Sequence, residues 1–288
     1  MIDTSVQAAY LRRLGLEAEP PSVGALQRLH RRHVERVAYE TMWIHGGETW
    51  DIDPGASAAR IALDGRGGYC FHLNGAFSEL LMSLGYTVTR HVGGVHREGS
   101  PYADSMTNHL VLTVAGLPTD ENPSGEWYVD AGLGDALYEP VPLVAGRFHQ
   151  EPFDLSLERT DDGVGDWHLT HDPAGSFAGM SWRERVASMD EFVERHRWLS
   201  SSPESGFVRV ATAQRRDATG ADILRGLVLT RVGAGASNSK PLTNRAEWFA
   251  ALADVFALRF DGAEPEMLDR LWERCLAAHR AQEASAGL

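Results

Sequence analysis

Several features that would each define a class of protein are scarce in this sequence. Only one of its 288 residues is a lysine, and 27 basic side chains stand against 40 acidic ones, a formal charge of −13. That balance excludes a nucleic acid as a partner over any broad surface. No apolar run approaches the roughly 20 residues that cross a bilayer, and the first residues lack the pattern of a signal peptide. We therefore expect a cytoplasmic protein with no membrane partner.

Cysteine is scarce as well. The two cysteines, Cys70 and Cys275, are too few and too far apart for a disulfide framework or a zinc knuckle. No spacing of histidine and cysteine predicts a metal site. Each cysteine is therefore either a reactive thiol or a small buried apolar residue.

What is present is ordinary globular composition, with 43% hydrophobic and 23% charged residues. The first third has apolar residues at helical spacing, and the middle third has short β-rich runs separated by Gly, Pro, Asp and Ser. Two further strands are predicted at 206–216 and 222–232, a flexible loop at 235–242, and two helices close the chain. The pattern predicts an α+β fold, with the antiparallel strands in a barrel or a sandwich, in one large domain or two to three small ones.

Cys70 lies where a thiolate would be favoured. In RGGYCFHLNGAFSELLMSLGY, apolar residues recur near period 3.6 after Gly67 and Gly68, and Gly85 is a helix stop signal. The helix dipole and free N–H groups at a helix start stabilise an anion, and low-pKa thiols occur at such places. The alternative is that Cys70 is a small buried apolar residue.

A nucleophilic thiol needs a base and a group that orients the base. Among twelve histidines, His109 stands at the start of the apolar strand HLVLTV, and Asp130 follows the apolar run WYV. A carboxylate at a buried strand end is costly without a partner, and histidine is a natural one. The alternative for His109 is a half-buried ring that bonds a backbone carbonyl.

These segments resemble the arylamine N-acetyltransferase family. The RGG-x-C signature is followed in the family's order by TNHLVLTV, YVDAGLGD, EPVPL, SPESGFVRV, LRGLVLTR and EWFAALADVFAL. The resemblance covers nearly the whole chain. It implies a helical bundle over 1–90 with the nucleophilic cysteine, an antiparallel β-barrel over 91–200 with the histidine, aspartate and a connecting helix, and an α/β lid over 201–288.

The resemblance also implies a ping-pong reaction. Acetyl-CoA would acylate Cys70, with His109 as base and Asp130 orienting it, and an arylamine or hydrazine would then take the acetyl group. Acetyl-CoA is expected as a co-substrate and no cofactor as a permanent ligand. Site residues implied are Gly132 and Gly134 at the CoA approach, Tyr39, Phe71 and Leu133 in the substrate pocket, and a structural ion pair between Glu40 and Arg66.

The sequence departs from the family pattern at His72, Ala38, Thr41 and Leu133, where the family has glutamate or glutamine, proline, asparagine and phenylalanine. The departures leave an alternative within the family, an amide synthase that takes its acyl group from a carrier-protein thioester. A cysteine hydrolase is a second alternative, because the order Cys, His, Asp also fits that class. A binding module without activity is a third, which the intact triad disfavours.

Overall fold

The structure is a computed structural model that describes residues 1–97, 105–161 and 163–286. Its α-helices, in chain order, are α1 (Thr4–Leu14), α2 (Val23–Arg36), α3 (Met42–Gly46), α4 (Pro54–Ala59), α5 (Cys70–Ser83), α6 (Val193–Ser201), α7 (Gly206–Arg209), α8 (Arg245–Asp254) and α9 (Pro265–Ala286). A π-helical segment (Arg60–Asp64) follows α4, and a 3₁₀ segment (Met189–Phe192) precedes α6.

The strands alternate with turns through the rest of the chain. They are β1 (Tyr39–Glu40), β2 (Thr87–His96), β3 (His109–Ala115), β4 (Trp127–Val129), β5 (Val141–Pro142), β6 (Gly146–Gln150), β7 (Phe153–Arg159), β8 (Trp167–Thr170), β9 (Gly179–Val186), β10 (Thr212–Asp217), β11 (Gly220–Arg225), β12 (Val228–Gly233) and β13 (Ala236–Pro241).

The central helix α5 has the bounds that the sequence predicts. It begins at Cys70 and ends before Gly85, whose φ of 93° is open to glycine at little steric cost. Phe77 and Leu80 are fully buried and pack with α1 and α2 residues in the helical core. Burial of such side chains stabilises the fold by roughly 1.5–3 kcal/mol each. The core therefore fixes the helix on which Cys70 stands.

The middle of the chain forms an eight-stranded antiparallel sheet in the order β5-β4-β3-β2-β9-β8-β7-β6. Its two edge strands, β5 and β6, are joined by the short connection 143–145. The Gln150 side chain ties β6 to the segment just before β5, since it accepts from the Tyr138 amide at 2.7 Å and donates to the Glu139 carbonyl at 2.9 Å. The sheet therefore curls into a nearly closed barrel.

A second antiparallel sheet has the order β1-β10-β11-β12-β13. Its first strand comes from the helical region, because Tyr39 pairs with Gln214 and Glu40 with Ala213. Trp248 of α8 and Leu271 of α9 are fully buried in the core that covers this sheet. The division of the chain into domains at 90 and 200 stays a prediction.

Three local predictions in the C-terminal third are wrong. Residues 206–209 are helical, because the Ser205 side chain caps the Phe207 amide, and the strand begins at Thr212. The run 222–232 is two strands separated by a turn at Gly226, where φ is 58°. The loop predicted at 235–242 contains β13, whose exposed residues pair with β12 and give no alternation of burial.

Candidate active site

The loop before Cys70 is held by backbone contacts that only glycines permit. A Cβ on Gly67 would lie 1.9 Å from the Ala38 carbonyl oxygen, and Gly68 has a φ of 105°. The Glu40 amide donates to the Gly68 carbonyl at 2.9 Å. The loop therefore packs against β1 and places Cys70 in the first turn of α5. Cys70 is 4% exposed.

The ion pair predicted between Glu40 and Arg66 is present beneath this loop. The guanidinium lies 3.0 Å (Nη2) and 3.1 Å (Nε) from Glu40 Oε1. The Met42 amide donates to the other carboxylate oxygen at 2.7 Å. Glu40 is fully buried and Arg66 is 8% exposed. Removing one partner of such a buried ion pair destabilises the fold, because the other charge is left without a counter-charge.

His109 and Asp130 come together because β3 and β4 are neighbouring antiparallel strands. His109 is the first residue of β3, and Asp130 directly follows β4. His109 Nε2 lies 2.8 Å from Asp130 Oδ2, and each residue is 1% exposed. Nε2 is therefore committed to the carboxylate, which leaves Nδ1 for the other partner of the ring.

The Asp130 carboxylate has three further hydrogen bonds. Oδ1 accepts from Asn74 Nδ2 at 2.7 Å and from the Gly132 amide at 3.0 Å, and Oδ2 accepts from the Tyr128 hydroxyl at 3.0 Å. Such bonds stabilise the ionised carboxylate. Sequence reasoning missed Asn74 and Tyr128, although Asn74 stands four residues after Cys70, on the same face of a buried apolar helix.

The electrostatics of His109 follow from these neighbours. Burial disfavours the imidazolium, but the charge of the Asp130 carboxylate and, after it, that of Cys70 raise the pKa of His109 to about 10. The histidine is therefore protonated at neutral pH in the resting site.

These residues open onto a cavity of about 350 Å³. That volume is typical of small-molecule sites. Cys70, His109, Gly132, Tyr39 and Leu133 all line it. Further lining residues are Val95, His96, Arg97, Asn108, Ser176, Phe177, Leu199, Gly206, Phe207, Thr212, Gln214 and Arg225.

Phe71 is a correction. It was predicted in the substrate pocket, but its side chain is fully buried away from the cavity and packs on Phe192 with ring centroids 5.0 Å apart. On α5, Phe71 is one residue after Cys70, and that step turns its side chain about 100° away from the cysteine. Gly134 lies behind the wall, under the side chain of Gln214.

The family departures have structural roles beside the loop. His72 is fully buried, and its Nδ1 accepts from the Tyr69 amide at 3.3 Å, which caps the start of α5. Thr41 Oγ1 accepts from the Thr212 amide at 2.9 Å. His72 and Thr41 therefore hold the frame of the site, while Leu133 faces the cavity.

Within the described residues, no group of three or more His, Cys, Asp or Glu side chains is arranged to hold a metal ion. The helices in the same part of the chain include none with the length and apolar character that a membrane span requires.

A buried thiol, imidazole and carboxylate between helices and a barrel define the class of enzymes that work through a cysteine. The sequence pattern of the N-acetyltransferase family matches residues 22–264, and the chain belongs to that family. It is an acyltransferase. The fold class predicted from the sequence is confirmed.

Named relatives agree. The chain is 28% identical over 235 residues to the arylamine N-acetyltransferase pineal gland isozyme NAT-3 of Gallus gallus, covering 74% of this chain and 78% of the relative. It is 30% identical over 172 residues to the arylamine N-acetyltransferase of Mycolicibacterium smegmatis, covering 55% and 60%. The solved structure of the M. smegmatis enzyme superposes with a TM-score of 0.82 at 26% identity, over 95% of this chain and 98% of that one.

Proposed function

We propose that this protein moves an acetyl group from acetyl-CoA to an arylamine or hydrazine through a thioester on Cys70. The observation that carries the proposal is that the His109 imidazole bonds the Asp130 carboxylate and lies with Cys70 at the wall of one small-molecule cavity. The family assignment supports the acetyl group as cargo. A Mycobacterium marinum arylamine N-acetyltransferase of the same fold was solved in complex with CoA.

In the first half-reaction, Cys70 Sγ attacks the carbonyl carbon of the acetyl thioester. The carbon–sulfur bond to CoA breaks, and CoA leaves as the thiol after it takes the proton held by His109. The first turn of α5 supplies backbone N–H groups near the sulfur, where negative charge is favoured. The product is an acetyl-enzyme that stores the energy of the thioester.

In the second half-reaction, the amine nitrogen attacks the acetyl carbon and the bond to Sγ breaks. The amine loses one proton, which the neutral imidazole of His109 accepts as general base. The departing sulfur is restored beside the imidazolium. The resting charge distribution is therefore regenerated, and each half-reaction uses the same pair of groups.

Asp130 has the role of a positioning carboxylate. It fixes the proton of His109 on Nε2, so that Nδ1 faces the thiol. Asn74 and Tyr128 hold the carboxylate in turn, with bonds of 2.7 and 3.0 Å. These buried partners fix the orientation of the Asp130 carboxylate, because each of them bonds one of its two oxygens.

The cavity walls set which amine fits. Tyr39 and Leu133 stand with Phe177 and Phe207 along the space in front of Cys70. Aromatic and aliphatic walls favour a flat apolar acceptor. Gly132 approaches the cysteine closely, since a Cβ there would lie 2.9 Å from the Cys70 Cα. Gly132 therefore leaves room for the thioester in front of the cysteine.

The alternative functions differ in the acyl donor and in the acyl acceptor. An amide synthase takes a long acyl chain from a carrier protein, whereas the relatives named here are arylamine N-acetyltransferases. A hydrolase passes the acyl group to water. The names of these relatives favour the acetyltransferase.

Intact-mass spectrometry separates these candidates. With acetyl-CoA and no amine, the protein should gain about 42 Da, the mass of one acetyl group bound as a thioester. Addition of an arylamine should remove the adduct much faster than buffer alone does. Labelling only by a long-chain carrier-protein thioester would indicate the amide synthase, and equal loss with and without amine would indicate the hydrolase.

A further inference from the structure

A chain of buried polar groups outside the triad reaches the cavity through Ser176 and Gln214. Asp135 is fully buried, and its carboxylate accepts from the Ser176 amide at 2.7 Å and from the Ser176 hydroxyl at 2.8 Å. His171 Nε2 lies 3.7 Å from the same carboxylate. Its Nδ1 accepts from the Asp172 amide at 2.8 Å, so the ring proton is on Nε2, facing Asp135. The mechanism above uses none of these groups.

The direction of the hydrogen bonds along this chain is fixed. The Asp135 carboxylate can only accept, so the Ser176 hydroxyl gives its one proton to Asp135. The Ser176 oxygen must then accept from Gln214, whose Nε2 lies 3.2 Å away. The amide nitrogen of Gln214 is thereby held toward Ser176, and Oε1 is held at the opposite side of the amide.

Gln214 Oε1 lies beside the backbone of Gly134. A Cβ at position 134 would be 1.8 Å from this oxygen, and Gly134 has a φ of 77°, so glycine is needed on both counts. Gln214 lines the cavity and pairs directly with Tyr39, so both side chains are on one face of the sheet. Among the described residues, none donates a hydrogen bond to Oε1.

We propose that Gln214 is a specificity residue whose Oε1 accepts a hydrogen bond from an N–H group of a substrate. The inference rests on the proposed function and deepens it. An oriented acceptor in a mostly apolar cavity favours N–H donors and disfavours groups that can only accept. Two substrates carry such a group: the amine acceptor, and the acyl donor with the amides of its CoA arm.

Substrates without N–H groups make the test sharp. Acylation of Cys70 is measured with acetyl-CoA and with p-nitrophenyl acetate, and discharge of the acetyl-enzyme with an arylamine and with 2-mercaptoethanol. Two ratios of rate constants are compared: acylation by acetyl-CoA to acylation by the nitrophenyl ester, and discharge by the arylamine to discharge by the thiol. In Gln214→Met, one of these ratios should fall about 3- to 10-fold, which is the effect of losing one neutral hydrogen bond. The ratio that falls identifies which substrate donates.

Two further variants complete the experiment. Ser176→Ala removes the group that orients the Gln214 amide and should lower the same ratio by a smaller factor. If Gln214→Met does not fold, the ratio measured in Ser176→Ala tests the proposal by itself. Gln27→Met, on α2 and outside the cavity lining, is the matched control. Ratios within about twofold of wild type in Gln214→Met, a change smaller than one hydrogen bond gives, overturn the proposal. A wild type that takes no acetyl group from acetyl-CoA overturns the proposed function itself.

Discussion

Cysteine and histidine each occur buried in two different regions of this molecule. Cys70 and His109 lie together at the cavity, where His109 bonds the Asp130 carboxylate. Cys275 lies in the core under the C-terminal sheet, and His33 lies in the helical core, where it bonds the Tyr10 hydroxyl at 2.8 Å. All four are at most 4% exposed. Burial is therefore nearly constant, and only the partners differ.

The partners reverse the chemistry. Burial, with the nearby charges of His30 and Arg13, lowers the pKa of His33 to about 3, whereas that of His109 rises to about 10. Burial also raises the pKa of the Cys275 thiol to about 12, which leaves it an inert apolar group. A buried titratable residue thus becomes a reactive one when an oppositely charged neighbour offsets its desolvation.

The largest expected effect is a difference in acetyl transfer between variants of the two cysteines. Cys70→Ser should abolish acetyl transfer and the acetyl adduct, because the hydroxyl is a far weaker nucleophile without a lowered pKa. Cys275→Ser should retain both, with only a loss of stability. Intact mass after incubation with acetyl-CoA checks both variants. Turnover by Cys70→Ser at the wild-type rate would contradict the covalent mechanism.

The next effect concerns the carboxylate. Asp130→Asn removes the charge that keeps His109 protonated and the acceptor that fixes its tautomer. We expect a loss of transfer of roughly 10⁴-fold, as for an amide in place of a triad aspartate. Iodoacetamide labelling of Cys70 is the control that the thiol is still present and accessible. Transfer within about tenfold of wild type, a small share of that loss, would show that Asp130 serves only the fold.

A smaller effect tests whether a partnered buried charge is also needed outside the triad. Arg66→Met leaves the Glu40 carboxylate buried without its counter-charge, which should cost about 3–5 kcal/mol in the free energy of unfolding. The double variant Glu40→Gln with Arg66→Met should recover part of this loss. Urea denaturation measures both. A loss below about 1 kcal/mol would place the pair with exposed salt bridges instead.

The smallest effect is a pH dependence of opposite sign in the two histidines. His33 binds a proton at pH near 6.5 when unfolded but only near pH 3 when folded, so the fold loses stability as the pH falls through that range. The slope is at most about 1.4 kcal/mol per pH unit. His33→Gln should remove it. Unfolding curves at several acid pH values check this, and an unchanged acid limb would contradict it.

For His109 the sign is reversed. Its pKa is higher in the folded state, so its contribution to stability is complete below pH 6.5 and is lost as the pH rises toward about 10. The difference in free energy of unfolding between wild type and His109→Gln should therefore shrink on the alkaline side only. A difference that is constant from pH 6 to 10 would show that the histidine is neutral in the fold.

The sequence predicted what local signals determine. The start of α5 at Cys70 follows from the glycines and the apolar period, and the positions of His109 and Asp130 follow from strand ends. The family resemblance led to the ion pair of Glu40 with Arg66. These residues occur in segments whose secondary structure is determined by the residues next to them in the sequence.

The rest depends on contacts between distant segments. Asn74 and Tyr128 matter because they reach one carboxylate from a helix and a strand, and no local pattern shows that meeting. Phe71 is the exception, because the one-residue step from Cys70 along the predicted helix already turns its side chain about 100° away. The polar strand β13 has no burial pattern of its own, so only its pairing with β12 gives it a structure.

The pairing of β1 with β10 also has a consequence for the order of biosynthesis. Thr41, at the end of β1, bonds Thr212 across 171 residues of chain, and the same short strand holds the Gly68 carbonyl before Cys70. Because a ribosome makes the N-terminus first, the N-terminal helices and the barrel are complete while this strand still lacks its partner. The frame around the cysteine closes only when the last quarter of the polypeptide emerges.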